Sequence, residues 1–529
     1  MSIDVIQPIG EHRGERAQHA ASAPARPVPS TGSARGGSSS VKAPAAIPEN
    51  PFAALSGANG RPLKVAILSD FTRIPYANGA VFQTRALYRA LNTCGHQATL
   101  IGPRDPDATA DEMPPGTIAL PSLPLRTYPG VHLPIPMESS VFDPMRWDFD
   151  ICFAQTTTLL VEFGIWLRKM RGIPLLCVNT THLAAAYDVL LPERVSRIGA
   201  VHTVLHKTLR APMERLFVDL YNQGDGLVVL SEGLRDYWRE RGVTVPIHVI
   251  PRMVPEDIFE RPLGPDPYAP LLEKRGLDPR GPRLVCAGRH TREKSQHRLI
   301  RIFAEHIAPR EPNATLTLVG DGPDSAAYAA LARELGVERR VILTGEVPYN
   351  RMGDYYRHAN VFLHASLSET FGNVLSEALW CGSPTVAFAD GMGVSSQIQS
   401  GHNGLLLDPG RGVAAEERAN AAFADAVIGL VRDPAAAARL GSGAAQRARE
   451  RSSPIVVQRM LASAFVNARE HAAQSGIRPL VEGPKALQWL ETFRHFRTWV
   501  GFTGGLFAFG HLRPAAAPRP KGIQPSFCT

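Results

Sequence analysis

LKVAILSD, Leu63 to Asp70, is a β-branched apolar run without alternation, the pattern of a strand covered on both faces in a parallel sheet. After a turn, VFQTRALYRALNTCGH at 81–96 has helical character, and QATLIGP at 97–103 reads as a second strand. Strand, helix, strand in that order is a βαβ unit. Outward from this unit the alternation continues through DICFAQ, IPLLCVNTTH, GLVVLS and VPIHVIP, each parted by a helical stretch, and it closes near Pro251. A second series follows with RLVCAGR, ATLTLVGDGP, RVILTG, NVFLHAS, SPTVAFAD and NGLLLDPG. Two doubly wound α/β domains in tandem account for this order.

The chain's 529 residues are too many for one ordinary domain, and 44% hydrophobic content is ample for two cores. Residues 1–60 are rich in Ala, Ser, Gly, Pro and Arg, a composition that buries too little apolar surface to offset chain entropy, so a disordered leader is expected there. The first α/β domain is expected at 61–255, a Pro-rich acidic linker at 256–277, the second domain at 278–475 and a tail at 476–529. In that tail Trp489, Phe493, Phe496 and Val500 recur at helical spacing beside Arg494 and Arg497. Such a stripe suits either a terminal helix packed on its own domain or a helix at an anionic lipid surface.

Six cysteines lie scattered with no CxxC or His-spaced cluster, which excludes a disulfide framework or a zinc site by pattern and fits a reducing cytoplasm. The first 50 residues hold no continuous apolar core of a signal peptide, and no run reaches the roughly 18 apolar residues that span a bilayer. The protein is expected to be neither exported nor integral. A net charge of +8 suits phosphate-rich ligands or an anionic membrane, and no nucleic-acid partner is expected.

The most informative chemistry is in SLSETFGNVLSEALWCGSPTV, Ser366 to Val386. On one helix Glu369 and Glu377 would stand ~12 Å apart along the axis and ~80° apart around it, a poor arrangement for sharing a ligand. Glu369 is therefore expected to precede the helix, with Phe371, Gly372 and Asn373 at its start, where free N–H groups meet a polar ligand. Taken alone, the acids equally suit partners of the helix dipole. Upstream, Arg289 ends the RLVCAGR strand and Lys294 follows five residues later, at the strand edge where open α/β sheets bind ligands. Two cations there suit a diphosphate and the charge it acquires on leaving; a merely solvated loop is the alternative.

Over about residues 62–465 the chain resembles the retaining glycosyltransferases of family 4, which have the GT-B architecture of two Rossmann-like domains and an interdomain cleft; it is most similar to the sulfolipid-synthase and lipid mannosyltransferase branch. The resemblance rests on the E-x7-E pattern of Glu369 and Glu377, on AGR with Arg289 and Lys294, and on PYANGAVFQ with Gly79. It implies a nucleotide-sugar donor, Arg289 and Lys294 on its diphosphate, Glu377 on the ribose, and Glu369 with the backbone of Phe371 to Asn373 on the transferred sugar. His182 in CVNTTHLAAAY takes the place of a histidine that faces that sugar, and Gly79 that of a glycine loop approaching the donor. IALPSLPLRTYPGVHLPIP and the helical stretch carrying Ile198, Val201, Leu205 and Leu209 are similar to the lipid-acceptor branch.

The expected function is retaining transfer from a UDP- or GDP-sugar to a hydroxyl on a lipid or glycan acceptor, peripheral to the inner membrane face, with no cofactor and no metal at the donor site. A non-catalytic membrane scaffold and a nucleotide-sugar epimerase are the alternatives. The chain departs from the family's pattern at Met392, Gly393 and Ser396, where a Gly-Gly pair and an acidic residue are usual. It departs again at Arg252, which replaces an asparagine in the linker; the sequence offers no mechanistic reading of that change.

Overall fold

The computed structural model describes residues 50–73, 79–106, 108–109, 112–125, 132–135, 139–156, 159–180 and 199–508. The first lobe runs β1 (Lys64–Ser69), α1 (Gly79–Thr93), β2 (Gln97–Pro103), β3 (Ile118–Leu120), β4 (Ser122–Pro124), β5 (His132–Pro134), β6 (Ile151–Gln155), α2 (Leu159–Arg171), β7 (Leu175–Val178), α3 (Gly199–Asn222), β8 (Gly226–Val229), α4 (Glu232–Glu240) and β9 (Ile247–Val249). Its parallel sheet has the order β3-β2-β1-β6-β7-β8-β9, and β4 and β5 form a separate antiparallel hairpin. All six strands expected in this lobe form; β3 and the hairpin arise in IALPSLPLRTYPGVHLPIP, where short Pro-broken runs carry little strand signal.

The second lobe runs β10 (Arg283–Ala287), α5 (Gln296–Ile302), β11 (Thr315–Val319), α6 (Ser325–Glu334), β12 (Val341–Leu343), α7 (Met352–His358), β13 (Val361–His364), α8 (Asn373–Trp380), β14 (Thr385–Phe388), α9 (Gly393–Gln397) and β15 (Leu405–Leu407). The sheet order β12-β11-β10-β13-β14-β15 reverses direction between β10 and β13, and a doubly wound sheet opens its binding crevice at such a switch point. At that edge the loops after β10 and β11 touch backbone to backbone: a Cβ on Gly320 would lie 2.2 Å from the Gly288 oxygen. Gly320 also sits at φ 129°, so only glycine closes this edge without strain.

The remaining helices are α10 (Val413–Arg432), α11 (Pro434–Ser452), α12 (Pro454–Gln474) and α13 (Lys485–Ala508). α10 and α11 cover the second sheet, but α12 crosses back: Val457, Leu461, Ala464, Phe465 and Ala468 are buried in the first lobe's core with Phe153 and Val178. Phe52, in the stretch expected to be disordered, is fully buried against Phe465, so the part of that stretch described, from Asn50, is packed on the first lobe. The reason is shared: an apolar face is buried wherever the tertiary fold leaves a matching surface, whatever its distance in sequence.

α13 also docks on the first lobe, though mainly by a face other than its aromatic stripe. Trp499 is buried and donates Nε1–H to the Leu159 oxygen at 2.8 Å, Trp166 donates to Thr492 at 3.1 Å, and His495 lies 2.7 Å from Glu162. Each contact pairs a polar handle with α2, which selects the face bearing Gln488, Thr492, His495 and Trp499. Of the stripe, Phe496 packs edge-on against Phe142 at 6.3 Å between ring centres, while Trp489, Phe493 and Val500 are exposed, Trp489 at 73%.

Candidate functional site

The eight-residue helix α8 begins at Asn373, so Glu369 stands in the preceding loop, as the spacing of the two acids predicts. Gly372, at φ 86°, supplies the left-handed turn into the helix. The loop 369–373 is clamped from one side. Asp390 accepts N–H bonds from Glu369 at 3.3 Å, Met392 at 2.8 Å, Val394 at 3.1 Å and Ser395 at 3.0 Å. Gln397 donates its side-chain amide to the Phe371 oxygen. Gly393 packs so closely that a Cβ there would sit 2.7 Å from the Glu369 oxygen and the Phe371 nitrogen. This glycine lies beside Met392 and Ser396, where the sequence departs from the family's pattern, and the contact shows that a side chain at 393 would force the loop to shift.

The loop carries the two acids into unlike surroundings. Glu369 Oε1 meets the Lys294 ammonium at 2.7 Å, with His364 Nε2 a further electrostatic neighbour at 3.5 Å, too long for a good hydrogen bond. Burial opposes the Glu369 charge, yet Lys294 and His364 outweigh it and hold this carboxyl far below the usual range. Burial likewise opposes the Lys294 ammonium, and Glu369 more than compensates, raising it. Glu377 faces no such cation partner. It accepts the Tyr349 hydroxyl on Oε1 and the Tyr356 hydroxyl on Oε2, both at 2.8 Å, and burial pushes it up to about 7 despite these bonds. Each oxygen keeps a second lone pair for a ligand.

Glu377 lines a small cavity with Phe371, Asn373 and Ser376 from the second lobe, Phe82 and Gln83 from the first, and Arg252 from the chain joining them. Phe82 stacks on Tyr349 at 4.4 Å between ring centres, and the Thr370 hydroxyl reaches the Thr180 oxygen at 3.4 Å. The cavity is thus built from both lobes. Gly79 opens α1, the helix that brings Phe82 and Gln83 to it. Arg289 is exposed at the end of β10, and it is not among the described residues lining this cavity. His182 lies outside the described residues, as do Ile198 and the side chains of Val201, Leu205 and Leu209; the strand before it, β7, ends at Val178.

Of the expected residues, then, Lys294 and Glu369 come together, and Phe371, Asn373 and Glu377 share a cavity one turn further along the same segment. Sequence reading missed Tyr349, Tyr356, His364, Asp390 and Gln397. Tyr349 lies in the short 3-10 turn before α7 and Tyr356 within α7, and nothing local names the acid they serve.

A family model described as "Glycosyltransferase Family 4" matches residues 77–257, and one described as "Glycosyl transferases group 1" matches 270–447. The chain is 26% identical over 329 residues to an alpha-monoglucosyldiacylglycerol synthase of Streptococcus pneumoniae, covering 61% of this chain and 71% of that protein. It is 31% identical over 296 residues to a D-inositol 3-phosphate glycosyltransferase of Rhodococcus jostii, covering 54% of this chain and 59% of that one. In fold it is similar to Anabaena HepE, solved in complex with UDP and glucose, with TM-score 0.57, 18% identity, and coverage of 76% of this chain and 99% of the other. Sucrose-phosphate synthase of Thermosynechococcus elongatus gives 0.56 at 20% identity, with coverage of 78% and 100%. With one model on each lobe and both sheets in the doubly wound order, the chain belongs to the GT-B glycosyltransferases, enzymes that move a sugar from a nucleotide-sugar donor to an acceptor.

Proposed function

We propose that the chain transfers a sugar from a UDP- or GDP-sugar, with retention at the anomeric carbon, to a hydroxyl on a membrane glycolipid or polysaccharide precursor. The observation that carries this reading is the clamped loop 369–373, with the Lys294–Glu369 pair at one end and the Glu377 cavity at the other. Glu377 accepts from the ribose hydroxyls, since an ionised carboxylate is acceptor-only. Lys294 and Arg289 hold the diphosphate and stabilise the charge that grows on it as the glycosidic C–O bond breaks. Glu369 and the N–H groups of Phe371, Gly372 and Asn373 orient the sugar, with His182 and the Gly79 loop on its other side. The first N–H groups of a helix have no intrahelical acceptor and are free for this task. The acceptor hydroxyl enters on the face the diphosphate leaves, its proton passing to a leaving phosphate oxygen, and no protein nucleophile is needed.

The acceptor class draws on the relatives, whose names point to a glucosylated diacylglycerol and to an inositol phosphate. A lipid acceptor also suits the exposed face of α13, where Trp489, Leu490, Phe493 and Phe496 stand beside Arg494 and Arg497. No described helix is long and apolar enough to cross a membrane, so this contact is peripheral.

Incubation with labelled UDP- and GDP-sugars and a lipid extract tests the reading. A labelled glycolipid carrying the donor's anomeric configuration is expected; epimerised donor formed without acceptor, or no turnover with either base, overturns it. Vesicles of phosphatidylglycerol are expected to sediment the protein, and W489S/F493S to abolish this while leaving transfer to a water-soluble acceptor intact.

A further inference from the structure

Arg252 is the feature that the donor reading leaves unused. It follows β9 at the joint between the lobes, is 9% exposed, and no described residue pairs with or hydrogen-bonds its guanidinium. Its Nη1 is fully buried, with no hydrogen-bond partner among the described residues. Burial pulls its ionisation down to about 10, so it is still a cation at neutral pH. An uncompensated buried charge is expensive, and folds retain one where a ligand supplies the counter-charge.

The place of the side chain narrows what that ligand is. Arg252 lines the cavity holding Glu377 and also a second cavity, bounded by Gln155, Val178, Thr180 and Leu230 at the carboxyl ends of β6, β7 and β8. Ligands of open parallel sheets sit at those ends. Neither Lys294 nor Arg289 lines either cavity, so the diphosphate grip lies elsewhere on the second lobe. The guanidinium therefore stands between the donor's cavity and an unclaimed one in the first lobe, where a second substrate would meet the first.

We propose that Arg252 is the anion-binding group of the acceptor site: it receives an oxyanion, phosphate or carboxylate, carried by the acceptor near the hydroxyl that is glycosylated. The proposal rests on the transfer reading for the word acceptor. The shape of the guanidinium favours bidentate capture of such a group, and the largely apolar walls, with Val178, Val228 and Leu461, strengthen the attraction by excluding water.

The test is calorimetric titration of inorganic phosphate into the full chain saturated with UDP, which fills the donor's diphosphate grip, for the unaltered protein, R252Q and R252K. Phosphate binding to the UDP-saturated protein is expected, weakened at least tenfold in R252Q and retained within a few-fold in R252K, with UDP affinity changed by less than the phosphate affinity in R252Q. The unliganded R252Q protein is expected to melt a few degrees higher, because a costly unpaired charge is gone; a merely structural arginine would lower the melting temperature instead. Equal phosphate affinity in R252Q, or none in the UDP-saturated protein, overturns the proposal. A tenfold loss of UDP affinity in R252Q also overturns it, by assigning the guanidinium to the donor. If neither UDP nor GDP binds the unaltered protein, the donor reading fails on its own, and phosphate titration without nucleotide still decides whether Arg252 holds an anion.

Discussion

Glu369 and Glu377 lie eight residues apart and are both buried, yet one is held far below the ordinary carboxyl range and the other is pushed up to about 7. Burial acts the same way on both. The difference is the partner: an ammonium at 2.7 Å for Glu369, and two neutral tyrosine hydroxyls for Glu377. Hydrogen bonds from neutral donors offset only part of a desolvation penalty that a full counter-charge overcomes. The two acids consequently load stability onto opposite pH windows. Glu369, depressed, contributes stability that is complete above an ordinary 4.5 and lost only in stronger acid. Glu377, raised, favours the folded state when protonated, and that contribution is lost as pH climbs from 4.5 through about 7.

Removing the cation breaks the contrast most severely. Lys294→Ala strips Glu369 of its counter-charge and the diphosphate of one partner. A loss of about 10²–10³-fold in kcat/KM is expected, by steady-state assay with the donor limiting. Chemical denaturation should show a stability loss of about 2 kcal/mol, smaller than for a fully enclosed pair because Lys294 is partly exposed. A variant with near-normal kcat/KM would remove Lys294 from the donor site.

Glu377→Gln separates stability from function. At pH 8 the buried carboxylate is gone and the variant should be more stable by about 2 kcal/mol, while the donor KM rises about 10- to 100-fold through loss of a charged acceptor. In the unaltered protein donor affinity should improve as pH rises through about 7, since the carboxyl must shed its proton to accept ribose hydroxyls, and the Gln variant should show no such step. An unaltered step in the Gln variant assigns it to another group.

The smallest expected effect sharpens the comparison. Tyr356→Phe removes one of two bonds to Glu377 and should move the donor-affinity midpoint up by about one pH unit, so that binding is several-fold weaker at pH 7 and nearly restored at pH 8.5. A downward shift would mean that Tyr356 does not favour the ionised form.

Much of the fold is legible before any coordinates. Buried parallel strands are continuous apolar runs, and six in each lobe are read at their places because that signal is local. Glu369 is placed before its helix by the geometry of eight residues on an α-helix. What is not legible is which side chains share a space. Tyr349 and Tyr356 meet Glu377 across 28 and 21 residues, and Asp390 reaches the Glu369 nitrogen across 21. The stripe of α13 shows the converse: of a clean apolar periodicity, Trp489, Phe493 and Val500 stay exposed because Trp499 and His495 found better partners on α2.

By itself the sequence determined two doubly wound lobes, the loop position of one acid and the helix position of the other, because period, helix geometry and chain order are properties of neighbouring residues. Only the tertiary structure decided that one acid is paired with a cation and the other held by tyrosines, that α12 returns to the first lobe, and that the guanidinium of Arg252 is shut away without a partner among the described residues. Burial and counter-charge depend on atoms brought from distant parts of the chain, and no local pattern carries that information.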